Sequence, residues 1–315
     1  MPKIVVVGSS NTDFAVRVEH LPGPGETVLG GAFHQAAGGK GANQAVAAAR
    51  AGGEVTFVAC VGEDALGDQA IEGFARDGID TAHVFRTSEV ASGVALILVD
   101  QQGENSIAVA SGANAALTPD HLKQAQKAIA EADVLVVQLE IPLETVRAAV
   151  EMAARQGTDV VLNPAPAQPL DEDLLRHIAV LTPNESEAAL LTGIEVDGEE
   201  ALDQVAEALL AKGVGAVLIT LGWRGAYVAT PDPASSAGQA VRQRVPGFKA
   251  KAVDTTAAGD VFNGALVVAM AEGRPLVEAV RFANAAAALS VTKQGAQPSA
   301  PRRDAIEALL GQGGA

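Results

Sequence analysis

Val134-Leu-Val-Val-Gln-Leu-Glu140 is the stretch from which the architecture can be read. A short apolar run rich in valine stops abruptly at polar Gln138 and Glu140, the pattern of a strand buried on both faces. Leu143–Gln156 then carries a helical period. Val160–Leu162 is a second buried strand, and polar Asn163 follows it directly. The alternation continues through helix Asp171–Arg176, strand Ile178–Leu181, helices Asn184–Thr192 and Glu199–Lys212, and strand Ala216–Thr220. Strands alternating with helices imply a parallel sheet with helices on both faces.

Working outward, Ile4–Val7 and Val55–Val61 read as further buried strands. An Ala-rich helix from about Ala42 to Ala51 stops at Gly52-Gly53, and another fits Leu66–Asp77. Phe14–Phe33 is turn-rich, with short alternating pieces, and Val94–Val99 and Asn105–Ala110 form a hairpin around Gln101-Gln-Gly-Glu104. Thr118-Pro119 opens a helix to Ala130. Ala226–Thr230 and Ala240–Val245 read as an antiparallel pair. Helices Gly259–Glu272, Leu276–Val291 and Arg303–Leu310 close the chain. The expectation is one α/β unit over residues 1–315, a three-layer α/β/α sandwich with a central, mostly parallel sheet. A small β-sheet lid is expected from about 12–36 and 92–111.

Composition bounds the function. A net charge of −16 and 3% aromatic residues argue against nucleic-acid or anionic-membrane partners. A single cysteine, Cys60, excludes an intrachain disulfide and a cysteine-built metal site. No apolar stretch reaches the length of a membrane span, and the N-terminus does not resemble a signal peptide, so a soluble, cytoplasmic protein is expected. Neither the Gly-rich loop of a P-loop nor a Gly-x-Gly-x-x-Gly after a strand occurs, and His20, His34, His83, His121 and His177 lack metal spacing.

In a parallel sheet, ligands sit beyond the carboxyl ends of the strands. Asn11 and Asp13, Glu140, Asn163, Asn184 and Glu187, and Gly222 all fall just after strands. Each alone could be a cap or a turn; together they point to one site. Asp254-Thr-Thr-Ala-Ala-Gly-Asp260 then reads as a loop entering a helix N-terminus, where unpaired N–H groups and the peptide dipoles favour phosphate. Ala257, Ala258 and Gly259 have almost no side chain to block an approach. Asp260 is either the N-cap of that helix or an acid placed to take a proton from a nucleophile beside a phosphate.

Gly38-Gly-Lys-Gly-Ala-Asn-Gln44, together with Asp254–Asp260, resembles the two signatures of the ribokinase-like (PfkB-type) carbohydrate kinases. Asn11-Thr-Asp13, Gln138-Leu-Glu140, Asn163-Pro-Ala-Pro-Ala167, Thr182-Pro-Asn-Glu185, Thr220-Leu-Gly222 and Lys293-Gln-Gly-Ala-Gln-Pro-Ser299 follow the family in order, from Ile4 to about Pro301. The resemblance implies ATP-dependent phosphorylation of ribose at O5, giving ribose 5-phosphate. It implies that Asn11, Asp13, Gly39, Lys40, Gly41, Asn43 and Glu140 hold the sugar, that Asp260 is the base, and that Ala257, Ala258 and Gly259 form the anion hole. Asn184, Thr220, Gly222, Gly225, Gly259 and Asn284 would border ATP. Asn184 and Glu187 would place Mg²⁺ through waters, although an Asn N-cap with Glu in the first turn is the plain alternative. K⁺ would sit among Asp254, Thr256, Ser290, Lys293, Gly295 and Ser299, mostly on backbone carbonyls. A homodimer through the lid is also implied. A kinase for deoxyribose, another pentose or a nucleoside, and a non-catalytic sugar or nucleotide sensor, are the alternatives.

Overall fold

A computed structural model of the chain describes residues 1–232 and 240–312. The expected unit of 1–315 also includes 233–239 and 313–315, which lie outside the described residues. In chain order the strands are β1 (Lys3–Val7), β2 (Asn11–Arg17), β3 (Phe33–Gly38), β4 (Glu54–Gly62), β5 (Asp80–Thr87), β6 (Gly93–Val99) and β7 (Asn105–Ala110). They continue with β8 (Val134–Val137), β9 (Asp159–Leu162), β10 (Val180–Leu181), β11 (Ala216–Thr220), β12 (Ala226–Pro231) and β13 (Ala240–Val245). The helices are α1 (Lys40–Ala51), α2 (Ala65–Arg76), α3 (Pro119–Gln124), α4 (Gln126–Glu131), α5 (Leu143–Gln156) and α6 (Glu172–Leu175). After these come α7 (Glu185–Thr192), α8 (Glu199–Ala211), α9 (Ala258–Ala271), α10 (Leu276–Ser290) and α11 (Arg303–Gln312).

The main sheet runs β13-β12-β11-β10-β9-β8-β1-β4-β5, with every pairing parallel except the two that β12 makes, with β11 and with β13. Side chains alternate across a strand, so each central strand feeds two cores. Ile4, Val6, Val134 and Val136 join one core with α1, α9 and α10. Val5, Val7, Leu135 and Val137 join the other, with α5 and α8. That two-sided burial is why these strands read as unbroken apolar runs. A second sheet, β3-β2-β6-β7, pairs β2 with β6 in parallel and its other neighbours antiparallel. Only Gly8, Ser9 and Ser10 separate β1 from β2, so the small sheet is anchored at the carboxyl edge of the large one.

Three details depart from the sequence reading. Asp80–Thr87 is the edge strand β5, an element the apolar pattern does not announce. The turn-rich stretch Phe14–Phe33 contributes strand only at its two ends, with no strand between 18 and 32. The helix expected from Thr118 to Ala130 breaks at Ala125 into α3 and α4. Among the described residues no helix is long and apolar enough to cross a membrane.

Candidate active site

The sheet's carboxyl edge gathers the polar residues that follow β1, β8, β9, β10 and β11, and two helices meet there. Helix α1 starts at Lys40 and is pinned by its first four amides. Lys40 N–H donates to Glu140 Oε2 (2.9 Å), Gly41 N–H to Ser9 Oγ (3.3 Å), Ala42 N–H to the Ser9 carbonyl (2.8 Å) and Asn43 N–H to the Gly39 carbonyl (2.9 Å). Ser9 Oγ in turn donates to Glu140 Oε2. The glycines of Gly38-Gly-Lys-Gly41 make this approach possible. A Cβ on Gly41 would lie 2.5 Å from the Ser9 nitrogen, and one on Gly39, whose φ is +88°, 2.6 Å from the Asn11 nitrogen. Glu140 therefore caps α1 from across the sheet. It does not cap α5, the helix that follows it, whose N-cap is Pro142.

Helix α9 begins differently. Its N-cap is Ala257, in the left-handed conformation at φ 58°, and Asp260 is the third helical residue. The N-cap alternative for Asp260 is thereby corrected: its carboxylate caps nothing. It is 6% exposed and accepts from Asn43 Nδ2 at Oδ2 (2.9 Å) and from Gln44 Nε2 at Oδ1 (3.0 Å). The first amides of α1 are all taken by the protein. Among the described residues no acceptor takes the amides of Ala257, Gly259 or Asp260. A Cβ on Gly259 would meet nothing within 4 Å, so the mouth of α9 is open to an anion.

Charge accumulates around this mouth. Burial pushes the Asp260 carboxyl above its ordinary range, opposed by Lys40, Asn43 and Gln44 and reinforced by Glu140. Burial, with Glu140 and Asp260 nearby, raises Asp13 to about 6. Burial works against the Lys40 ammonium, yet Asp260, Glu140 and Glu187 outweigh it and hold its pKa above the usual value. Glu187 is raised by burial and by Asp260, against its bond from the Asn184 amide and the pull of Lys40. These shared influences put Asp13, Lys40, Glu140, Glu187 and Asp260 in one cluster.

The buried Asn43 Oδ1 has no hydrogen-bond partner among the described residues. It is an acceptor suited to a hydroxyl. Asn11 Oδ1 is committed to Asn114 Nδ2 (2.7 Å), so Asn11 could meet a ligand only through its own Nδ2.

Asn184 and Glu187 form a reciprocal capping box on α7: Asn184 N–H donates to Glu187 Oε2 and Glu187 N–H to Asn184 Oδ1, both at 2.8 Å. The plain alternative thus describes the geometry, and one Glu187 oxygen is left over to face water or a hydrated cation. Thr220 bridges to Asn184, and its amide donates to the Pro183 carbonyl. Gly222 (φ 59°) and Gly225 (φ 95°) turn the chain after β11. Asn284 Nδ2 donates to the Val245 and Pro246 carbonyls (3.1 and 3.2 Å), and a Cβ on Gly225 would lie 2.1 Å from that Val245 oxygen. Thr220, Gly222, Gly225 and Asn284 are therefore brought to one border.

The proposed cation loop is a knot of main chain. The Val253 and Asp254 amides donate to the Val291 carbonyl, and Thr256 and Gly295 N–H to the two Asp254 oxygens at 2.9 and 2.8 Å. Burial would raise the Asp254 carboxyl, but these bonds prevail and lower it. The Ser290 and Ser299 hydroxyls donate to the Ala287 and Ala296 carbonyls. The donor atoms present are carboxylate, hydroxyl and carbonyl oxygens, the hard set a monovalent or hydrated divalent cation takes.

Five buried polar side chains stand behind Asp260, namely Gln44, Gln138, Asn163, Thr182 and Asn263, and of these sequence reasoning singled out only Asn163 as a site residue. Gln138 Nε2 donates to Gln44 Oε1 (2.6 Å), Gln44 Nε2 also donates to Asn163 Oδ1 (3.1 Å), and Asn163 Nδ2 donates to the Thr182 carbonyl (3.2 Å). Thr182 Oγ1 donates to Asn263 Oδ1 (2.7 Å), and Asn263 Nδ2 to the Gly259 carbonyl (2.9 Å). Four of the five stand in the quoted motifs, so position was a signal; only the fold reveals the contacts.

The profile of the pfkB family carbohydrate kinases matches residues 1–303. A ribokinase of Haemophilus influenzae is 46% identical over 97% of this chain and 98% of its own length. The crystal structure of a ribokinase from Thermotoga maritima superposes with a TM-score of 0.88 at 40% identity, covering 99% of this chain and all of that one. An Arabidopsis thaliana ribokinase, solved in complex with ribose and ATP, gives 0.90 at 34% identity and 98% coverage of both.

Proposed function

The chain belongs to the pfkB family of carbohydrate kinases and is a phosphotransferase, and from that premise we propose that it transfers the γ-phosphoryl group of ATP to O5 of D-ribose. The observation that carries the reading is the contrast between the two helix mouths: α1 saturated, α9 open with a buried carboxylate in its first turn.

Asp260 takes the proton of the attacking hydroxyl. A base that must stay protonatable near neutral pH needs a raised pKa, which burial supplies. The hydroxyl that loses its proton attacks the γ-phosphorus, and ADP leaves. The amides of Ala257 and Gly259, with Ala258 beside them, hold the charge developing on the moving phosphoryl oxygens. Asn43 Oδ1 accepts a sugar hydroxyl, and Asp13, Glu140, Asn11, Lys40 and the main chain of Gly39 and Gly41 hold the others. Thr220, Gly222, Gly225 and Asn284 border the nucleotide. Asn184 and Glu187 hold Mg²⁺ through waters; when bound, the ion neutralises phosphate charge. The loop of Asp254, Thr256, Ser290, Lys293, Gly295 and Ser299 holds K⁺ through its oxygens, stiffening the segment that leads into α9. Lid closure excludes water and so suppresses ATP hydrolysis. Phe33, Leu96, Ile107 and Val109, exposed on the small sheet, favour a homodimer across the lid.

The reading is tested by ADP release with a sugar panel. Ribose should give the highest kcat/KM; deoxyribose or a nucleoside outpacing it would replace ribose as the substrate. No release with any sugar would leave the sensor reading.

A further inference from the structure

We propose that Gln44 is a positioning residue for Asp260, the middle member of a buried amide chain that dictates which end of its carboxamide faces the carboxylate. The proposal rests on the reading of Asp260 as the base.

A carboxamide can turn over and exchange its oxygen for its nitrogen, so something must choose. Here the choice starts from a group that cannot turn over, the Thr182 main-chain carbonyl at the end of β10. It accepts at 3.2 Å, so Asn163 must present Nδ2 to it. Asn163 Oδ1 then faces Gln44, which must answer with an N–H, and that same Nε2 carries its second hydrogen to Asp260 Oδ1. Gln44 Oε1 is left facing Gln138 Nε2, 2.6 Å away. Were Gln44 reversed, its oxygen would meet two acceptors and its nitrogen a donor. Gln44 and Gln138 are wholly buried and Asn163 nearly so, so water is not at hand to repair such a clash.

An ionised carboxylate only accepts hydrogen bonds. The chain therefore guarantees one donor to Oδ1, while Asn43 supplies one to Oδ2. Both favour the charged form that a base must have. The ionisable groups around Asp260 are Asp13, Lys40, Glu140 and Glu187. They alter its charge balance through space, whereas among the described residues only Asn43 and Gln44 hold its oxygens by direct side-chain bonds. A second branch leaves Thr182 through its hydroxyl to Asn263, which holds the Gly259 carbonyl. One strand end thus steadies both the base and the first turn of the anion hole.

Gln44→Met keeps the length and removes the donor. Its kcat should fall by about tenfold or more, with little change in KM for the sugar. The acidic limb of its kcat–pH profile should move up by roughly one pH unit, because a lost donor disfavours the ionised form. Gln138→Met leaves that donor in place but frees Gln44, and should move the limb in the same direction by less. A merely structural loss would lower the melting temperature and leave the limb where it is. A parent-like profile for Gln44→Met overturns the proposal; if that variant does not fold, an unmoved limb in Gln138→Met overturns it. Asp260→Asn run alongside separates the two readings. Near-parent turnover in Asp260→Asn removes the base itself. A dead Asp260→Asn beside a parent-like Gln44→Met removes only the positioning role.

Discussion

Glu140 Oε2 accepts the Lys40 main-chain amide at 2.9 Å, so a carboxylate of the charged cluster also holds down the helix that carries Asn43 to Asp260. Glu140→Ala should therefore cost about 1–2 kcal/mol of stability, the range of a lost helix cap. It should lower the melting temperature by a few degrees and raise KM for the sugar. Glu140→Gln retains an acceptor and should recover most of the stability. Thermal unfolding of both variants checks this, and an alanine variant that melts with the parent contradicts it.

Asp260→Asn should reduce kcat by ~10²-fold or more while sugar binding, followed by calorimetry, persists. The pH dependence follows from burial. The carboxyl is raised, and a base acts only when ionised, so kcat should fall as pH drops through a value above the ordinary carboxylate range. An acidic limb at the ordinary Asp value would show that another group limits the reaction.

Asp13 predicts a pH-dependent stability. Its carboxyl titrates at about 6 in the folded chain against 3.8 for the free side chain. The unfolded state gives up this proton first as pH rises, so stability present below the lower value is lost on passing through the higher one. The loss is roughly 3 kcal/mol. Asp13→Asn should be more stable than the parent at pH 7.5, with the gap closing near pH 4. Denaturant unfolding at the two pH values measures it, and a pH-independent difference would count against the burial argument.

Replacing K⁺ by Na⁺ at equal ionic strength should slow turnover if the Asp254–Ser299 loop holds the larger ion. Equal initial rates in both salts would reject a cation role for that loop.

The buried strands were legible because burial on both faces leaves a continuous apolar run, as in Val134–Val137. Strand β5 was not. It lies at the sheet's edge, with only Val84 fully buried among Asp80–Thr87, so its pattern mixes polar and apolar residues. At the site, Asp260, Asn43 and Glu140 stood out as polar residues at informative places. That Glu140 caps α1, which lies 100 residues earlier, could not be read, because a cap supplied from across the sheet leaves no local spacing. Gln44 shares the difficulty: its contacts with Asn163 and with Asp260 each span more than 100 residues. The left-handed Ala257 is illegible for another reason, since that conformation is usually announced by glycine.

Ala257 is the only non-glycine with positive φ among the described residues, and an L-residue held so gives up roughly 1–2 kcal/mol. Alanine has fewer alternative shapes than glycine when the turn is loosened. The bend ahead of α9 is thus a preorganised cradle, set before any nucleotide arrives. Exchanging Ala257 for glycine would relax the cradle while handing back to each binding event the entropy of shaping it.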